Sequence, residues 1–162
     1  MNKVPFSKVL IYLDGSEGSI SALMYAIMLA KSTDAELHAV YVINTKALGD
    51  LVKSRIFINE ERSAYLSDLS KDASRHIRHA EKLAASKDID IKTAILEGSP
   101  HSEIASYVNE NSVDLLIVGS INVIRSRREE LLSESDRMLR TSDCPVLVVK
   151  DNDGIWNSFE EF

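Results

Sequence analysis

Residues 9–43 read VLIYLDGSEGSISALMYAIMLAKSTDAELHAVYVI, and the succession of patterns inside this stretch decides the fold. Val9 to Leu13 is an unbroken apolar run. A strand covered on both faces reads that way, whereas a strand with one wet face alternates. Asp14-Gly15-Ser16 breaks the run, and Ser16 can accept a hydrogen bond from an orphan N–H at the start of a helix. Ile20, Leu23, Met24 and Ile27 then recur at helical spacing, and Glu36 to Ile43 returns to a strand.

Working outward, the alternation continues to the end of the chain. Thr45 to Glu60 contains Gly49 and the mixed segment LVKSRIFI and shows no clear period. It reads as a long, partly helical excursion, and such excursions in compact domains are often functional. From about Glu61 a helix is predicted, with Leu66, Leu69, Ala73, Ile77, Ala80 and Ala84 stepping by three and four. Its opposite face carries Lys71, Arg75, Arg78 and Lys82, a solvated side. Ile91 to Leu96 is a third strand, closed by Glu97-Gly98-Ser99-Pro100, and Ile104, Tyr107 and Val108 mark the helix after it. Val113 to Val118 is a fourth strand ending in Gly119-Ser120. Glu129 to Leu139 reads as a helix and Pro145 to Lys150 as the last strand. Strands alternating with helices imply parallel pairing through right-handed crossovers. The expected class is therefore α/β, an open doubly wound sheet with helices on both faces, in one domain over residues 1–150. An acidic, aromatic tail follows at 151–162.

Charge excludes one class of partner. Of the net −6, four charges belong to the tail, where Asp151, Asp153, Glu160 and Glu161 stand with no Lys or Arg. The body has no positive field to gather phosphate backbones, so nucleic acid is not an expected partner. The single cysteine, Cys144, rules out an internal disulfide and a thiolate zinc cluster. The apolar run near the N-terminus is too short for a signal-peptide core or a membrane span, so a cytoplasmic protein that does not enter the membrane is expected.

In an open parallel sheet, ligands sit beyond the carboxyl ends of the strands. That rule selects Asp14-Gly15-Ser16, the residues from Val40 to Val42, Gly98-Ser99-Pro100, and Gly119-Ser120. Strand-to-helix turns also favour such residues for backbone reasons alone. His76 and His79 lie three apart on the long helix, but no acid or thiol nearby completes a metal set, and they read as surface residues. His38 reads as a structural strand residue, and His101 falls near the mouth of the expected crevice. No serine sits in a nucleophile elbow, and Cys144, followed by Pro145, reads as a small core residue. No enzyme is expected.

At this point the sequence resembles the universal stress proteins. The stretch 9–43 looks like that family's opening strand, helix and strand. EGSPHSEIASYVNENSVDLLIVGS is similar to its glycine-x-proline turn, third helix and fourth strand, and SDCPVLVVK to its closing cysteine-proline and final strand. The resemblance covers about Lys8 to Lys150. It implies an adenine-nucleotide-hydrolase-like sheet of five parallel strands in the order 3-2-1-4-5. It also implies a homodimer paired through the last strand, Val146, Leu147, Val148 and Val149.

The ATP-binding members of that family carry glycine, two residues, glycine, nine residues, then glycine followed by serine or threonine. Phosphates approach backbone N–H groups closely there, and a Cβ would intrude. Gly119 matches the first glycine, Asn122 stands at the second, and Leu132 at the third, with Ser133 at the hydroxyl position and Ser135 after it. Asn tolerates left-handed backbone, but Leu132 puts a branched side chain toward a phosphate, and Glu134 adds a repelling acid. Arg125, Arg127 and Arg128 lie in the same loop, balanced by Glu129 and Glu130.

The resemblance therefore implies a stress-response regulator acting by binding rather than turnover, with the ATP cradle degraded. The alternative it leaves is an ATP- or AMP-binding switch, with magnesium for ATP, using Asp14, Gly119, Ser133 and Ser135. Other five-stranded relatives fit worse. A response-regulator receiver needs an aspartate ending strand three, which here ends in Glu97-Gly98. A pyrophosphatase-type ligase needs a Ser/Gly-rich loop that DGSEGS does not form. In the tail, Trp156, Phe159 and Phe162 recur every three residues, which suits a short helix folded over its own domain or its dimer mate rather than docked on an unidentified protein partner.

Overall fold

The computed structural model describes residues 4–54, 59–119 and 133–162. Its centre is a sheet of five parallel strands ordered β3-β2-β1-β4-β5. These are β1 (Lys8–Leu13), β2 (Glu36–Ile43), β3 (Ile91–Glu97), β4 (Leu115–Gly119) and β5 (Val146–Val149). The helices are α1 (Glu17–Thr33), α2 (Thr45–Lys53), α3 (Asn59–Ala85), α4 (Pro100–Glu110), α5 (Glu134–Thr141) and α6 (Asn152–Glu161). The fold class and strand order are those expected.

The unbroken apolar run of β1 follows from its central place. Val9, Ile11 and Leu13 pack into a core shared with α1 and α3, while Leu10 and Tyr12 face a second core with Ile104 and Val108 of α4 and Met138 of α5. β4 divides the same way, Leu115 and Ile117 to one face and Leu116 and Val118 to the other. One step of register would swap these two sets.

The chain runs outward from β1 to β3, then returns to the other side of β1 for β4 and β5. This places the reversal of strand order between β1 and β4, the position where such sheets open a crevice. Gly119 closes that position tightly. A Cβ on it would stand 2.7 Å from the carbonyl carbon and oxygen of Gly18, so β4 and the first turn of α1 touch backbone to backbone. Packing alone therefore requires this glycine.

Several boundaries differ from expectation. The excursion after Asn44 is α2, followed by the start of α3, and the Asn44 Oδ1 accepts from the Ala47 N–H at 3.0 Å to begin α2. β4 starts at Leu115 rather than Val113, because the Val113 N–H is turned back to the Val108 carbonyl. Of the helix expected over Glu129 to Leu139, residues 129–132 lie outside the described ones, and the described helix runs from Glu134 behind Ser133, whose Oγ accepts from the Asp136 N–H at 3.3 Å. The tail is α6 and lies over α1. Phe159 is buried there beneath the Lys87 ammonium, and the Trp156 indole N–H donates to Ser21 Oγ at 3.1 Å. Phe162 remains exposed. Among the described residues, no helix is long and apolar enough to cross a membrane.

Candidate functional site

A cavity of about 310 Å³ opens beyond the carboxyl ends of β1 and β2. Tyr12 and Asp14 form its floor, and Tyr41 to Asn44 one side. Ala47 and Leu48 of α2, with Tyr65 and Leu69 of α3, cover it. Pro100 and Glu134, from the starts of α4 and α5, form the far wall. Ala47 and Leu48, from the poorly patterned excursion after Asn44, thus cover the cavity.

The floor is set by a turn. Asp14 Oδ1 accepts from the Ser16 N–H at 2.8 Å and from Ser16 Oγ at 2.5 Å, and Ser16 Oγ accepts from the Ser19 N–H to cap α1. Gly15 sits between them at φ 81°, and a Cβ on it would lie 2.7 Å from His76 Nε2. His76 in turn stacks on Tyr41, ring centres 5.5 Å apart and planes within 6°. His76 therefore backs the cavity wall instead of lying on the open surface, while His79 is exposed.

The phenols stay protonated. Burial pushes the Tyr12 hydroxyl well above its ordinary value, and the carboxylates of Asp14 and Glu134 push it further. Burial and Asp14 raise Tyr41 in the same direction. Both phenols are neutral O–H groups at any physiological pH.

Glu134 is held firmly. Its Oε2 accepts from the His101 backbone N–H and from His101 Nδ1, both at 3.0 Å, and its Oε1 accepts from Arg137 Nη1 at 3.2 Å. It thereby satisfies an N–H in the first turn of α4, where Ser99 makes no side-chain cap bond. His101, which the sequence puts near the mouth of the crevice, thus contacts Glu134.

The residues singled out in the sequence fall unevenly. Asp14 lines the cavity; Gly15 and Ser16 shape the turn beneath it. Val40 does not line it, because it is fully buried in the sheet and the wall begins one residue later, at Tyr41. Gly98 donates its N–H to the Ile43 carbonyl at 3.0 Å, tying the end of β3 to that of β2. Ser133 is occupied as a cap, and it is its neighbour Glu134 that lines the wall. Ser135 follows in the first turn of α5. Ser120, Asn122 and Leu132, with Arg125, Arg127 and Arg128, lie outside the described residues. Of the selected span Val40 to Val42, Tyr41 and Val42 line the cavity, while sequence reasoning missed Tyr12, Tyr65, Asn44, Leu48 and Leu69. The available signal was a polar-tipped aromatic near the carboxyl end of each of the first two strands.

The last strand, Val146–Val149, is an edge of the sheet, paired with β4 on one side. Cys144 is part-buried against the second core, and its N–H donates to Ser142 Oγ.

The strand order and the helices packed around the sheet define a Rossmann-like α/β protein. The chain belongs to the universal stress protein family, whose model matches residues 5–150. The universal stress protein YxiE of Bacillus subtilis is 32% identical over 151 residues, covering 90% of this chain and 99% of that protein. The solved structure of the hypothetical protein MJ0577 of Methanocaldococcus jannaschii superposes with a TM-score of 0.74 at 24% identity, covering 93% of this chain and 99% of that one. A universal stress protein of Archaeoglobus fulgidus, solved in complex with dAMP, superposes at 0.61 with 12% identity, over 91% of this chain and all of that one.

Proposed function

We propose that this chain is a regulatory stress protein that binds an adenine-type ligand in the cavity above β1 and β2 and acts by that binding, not by turnover. The observation that carries this reading is the cavity itself. Its volume of about 310 Å³ suits a nucleoside-sized molecule, with phenol faces for stacking and carboxylates for donor groups. The dAMP complex of the Archaeoglobus fulgidus relative lends the ligand class. Weak ATP binding fits the occupied state of Ser133 and the packing role of Gly119, neither of which leaves a free cradle. The retained Asp14 turn favours a second reading, an ATP- or AMP-binding switch with magnesium accompanying ATP.

Calorimetric titration of the purified protein tests this, after a check for nucleotide carried through purification. Adenosine is expected to bind saturably in the micromolar range, and ATP with magnesium far more weakly. Tight ATP binding would move the protein to the second reading. Absence of any adenine binding would leave the cavity without this role.

The same proposal includes a homodimer through β5, whose Val146, Leu147 and Val148 are only half-buried in the single chain. Sizing of the protein and of Val148→Asp is expected to return a dimer and a monomer. A monomer in both cases removes the dimer from the reading.

A further inference from the structure

We propose that Glu134 makes the cavity selective for an unphosphorylated ligand, a nucleoside or free base, against the corresponding nucleotides; this rests on the adenine-type reading above. Two carboxylates face the cavity, Asp14 from the floor and Glu134 from the far wall. None of its described lining residues is a Lys, Arg or His. Among the described residues, His101 and Arg137 donate to the Glu134 carboxylate, and neither lines the cavity.

This carboxylate cannot easily swing away to admit an anion. Its side chain is only 19% exposed, and leaving would strip the α4 first turn of the acceptor that serves the His101 N–H. An incoming phosphate would therefore meet a fixed negative charge in a partly enclosed space, where repulsion is screened less than in open water. A nucleoside meets the same groups favourably. Ribose hydroxyls and an exocyclic amine donate to carboxylates, and acids commonly read ribose hydroxyls at such strand ends. The walls suit the rest of the molecule, with Tyr41 and Tyr65 offering aromatic surface. Glu134 is thus a specificity-determining residue whose sign of charge, more than its bulk, matters.

The test is titration of the full chain and of Glu134→Gln with adenosine, AMP and ATP without magnesium, with a melting curve on each protein. The wild type is expected to bind adenosine at least tenfold more tightly than AMP. Glu134→Gln keeps an amide oxygen for the His101 N–H and removes the charge. It is expected to strengthen AMP binding about tenfold while weakening adenosine a few-fold. Opposite movement of the two ligands is a signature that loosened packing would not produce. Equal affinities on the wild type overturn the proposal whatever the variant does, and so does a parallel loss of both ligands in a folded Glu134→Gln. Binding of neither ligand by the wild type instead removes the adenine reading on which the proposal stands.

Discussion

The two ends of the same strands use the same residue types to opposite purpose. At the amino end, His38 is 3% exposed and lies between Tyr107 Oη and Glu36 Oε1, each 2.6 Å away, while Lys92 pairs with the same Glu36 oxygen at 2.8 Å. Asp114 accepts from the N–H groups of Ser7 and Lys8 and from Ser7 Oγ. Tyrosine, histidine and carboxylate there satisfy one another. At the carboxyl end, Tyr12, Tyr41, Asp14 and Glu134 turn toward a cavity, and His76 stacks behind Tyr41. Polar groups closed on each other tie elements together; polar groups aimed at empty volume are available to a ligand. Residue type does not separate the two ends, but the empty volume beside the second set does.

Breaking the amino end should therefore cost stability and spare binding. The largest effect is expected for His38→Ala, at about 3 kcal/mol, because it opens a void in the second core and leaves the Tyr107 hydroxyl unpaired. Denaturant unfolding measures it, and adenosine affinity should be unmoved. A loss below 1 kcal/mol would mean that the closed network is ornamental.

Asp114→Ala comes next, at about 2 kcal/mol, since a carboxylate that gathers N–H donors from the segment before β1 is lost. Its acid limb can be read separately. Burial raises the Asp114 carboxyl, but the hydrogen bonds from Lys8 and Ser7 outweigh it and hold the group below its ordinary 3.8. A depressed folded value means a contribution fully present above 3.8 and lost as pH falls through the folded value. Glu36, held at about 2 by Lys92 and His38, adds to the same limb as pH falls from 4.5 toward 2. Wild-type stability should thus decline with acid over this window, and Asp114→Ala should show a shallower decline. Identical slopes would show that Asp114 is not the group being titrated.

How much of this was legible in the sequence follows from the same contrast. β1 was readable because burial on both faces demands an unbroken apolar run, and the strand order came with the family's motif sequence. Asp14 was readable because it punctuates a strand. Of the span Val40 to Val42, Tyr41 and Val42 reach the cavity while Val40 stays buried in the sheet, because height along the strand decides which residues pass the end of the core. Tyr12 was opaque because a tyrosine in an apolar run looks like core, and 95% of its surface is indeed buried. The α2 cover was opaque because nothing in its residues says that Ala47 and Leu48 meet a cavity.

The smallest effect sharpens the contrast most, because it removes a single atom from the carboxyl end. Tyr12→Phe keeps the ring in the second core and deletes only the hydroxyl at the cavity floor. That hydroxyl is kept neutral first by burial and then by Asp14 and Glu134, so it stands as an O–H group beside two carboxylates. Its loss should leave unfolding within about 0.5 kcal/mol of wild type, as for a substitution that neither opens a core void nor unpairs a neighbour. Adenosine affinity should fall about fivefold, the worth of one neutral hydrogen bond of roughly 1 kcal/mol. A fall in stability with affinity intact would invert the assignment. Tyr12 would then belong with His38 and Asp114 among the groups that hold the fold, and the ligand would have to be positioned by Tyr41 and Tyr65.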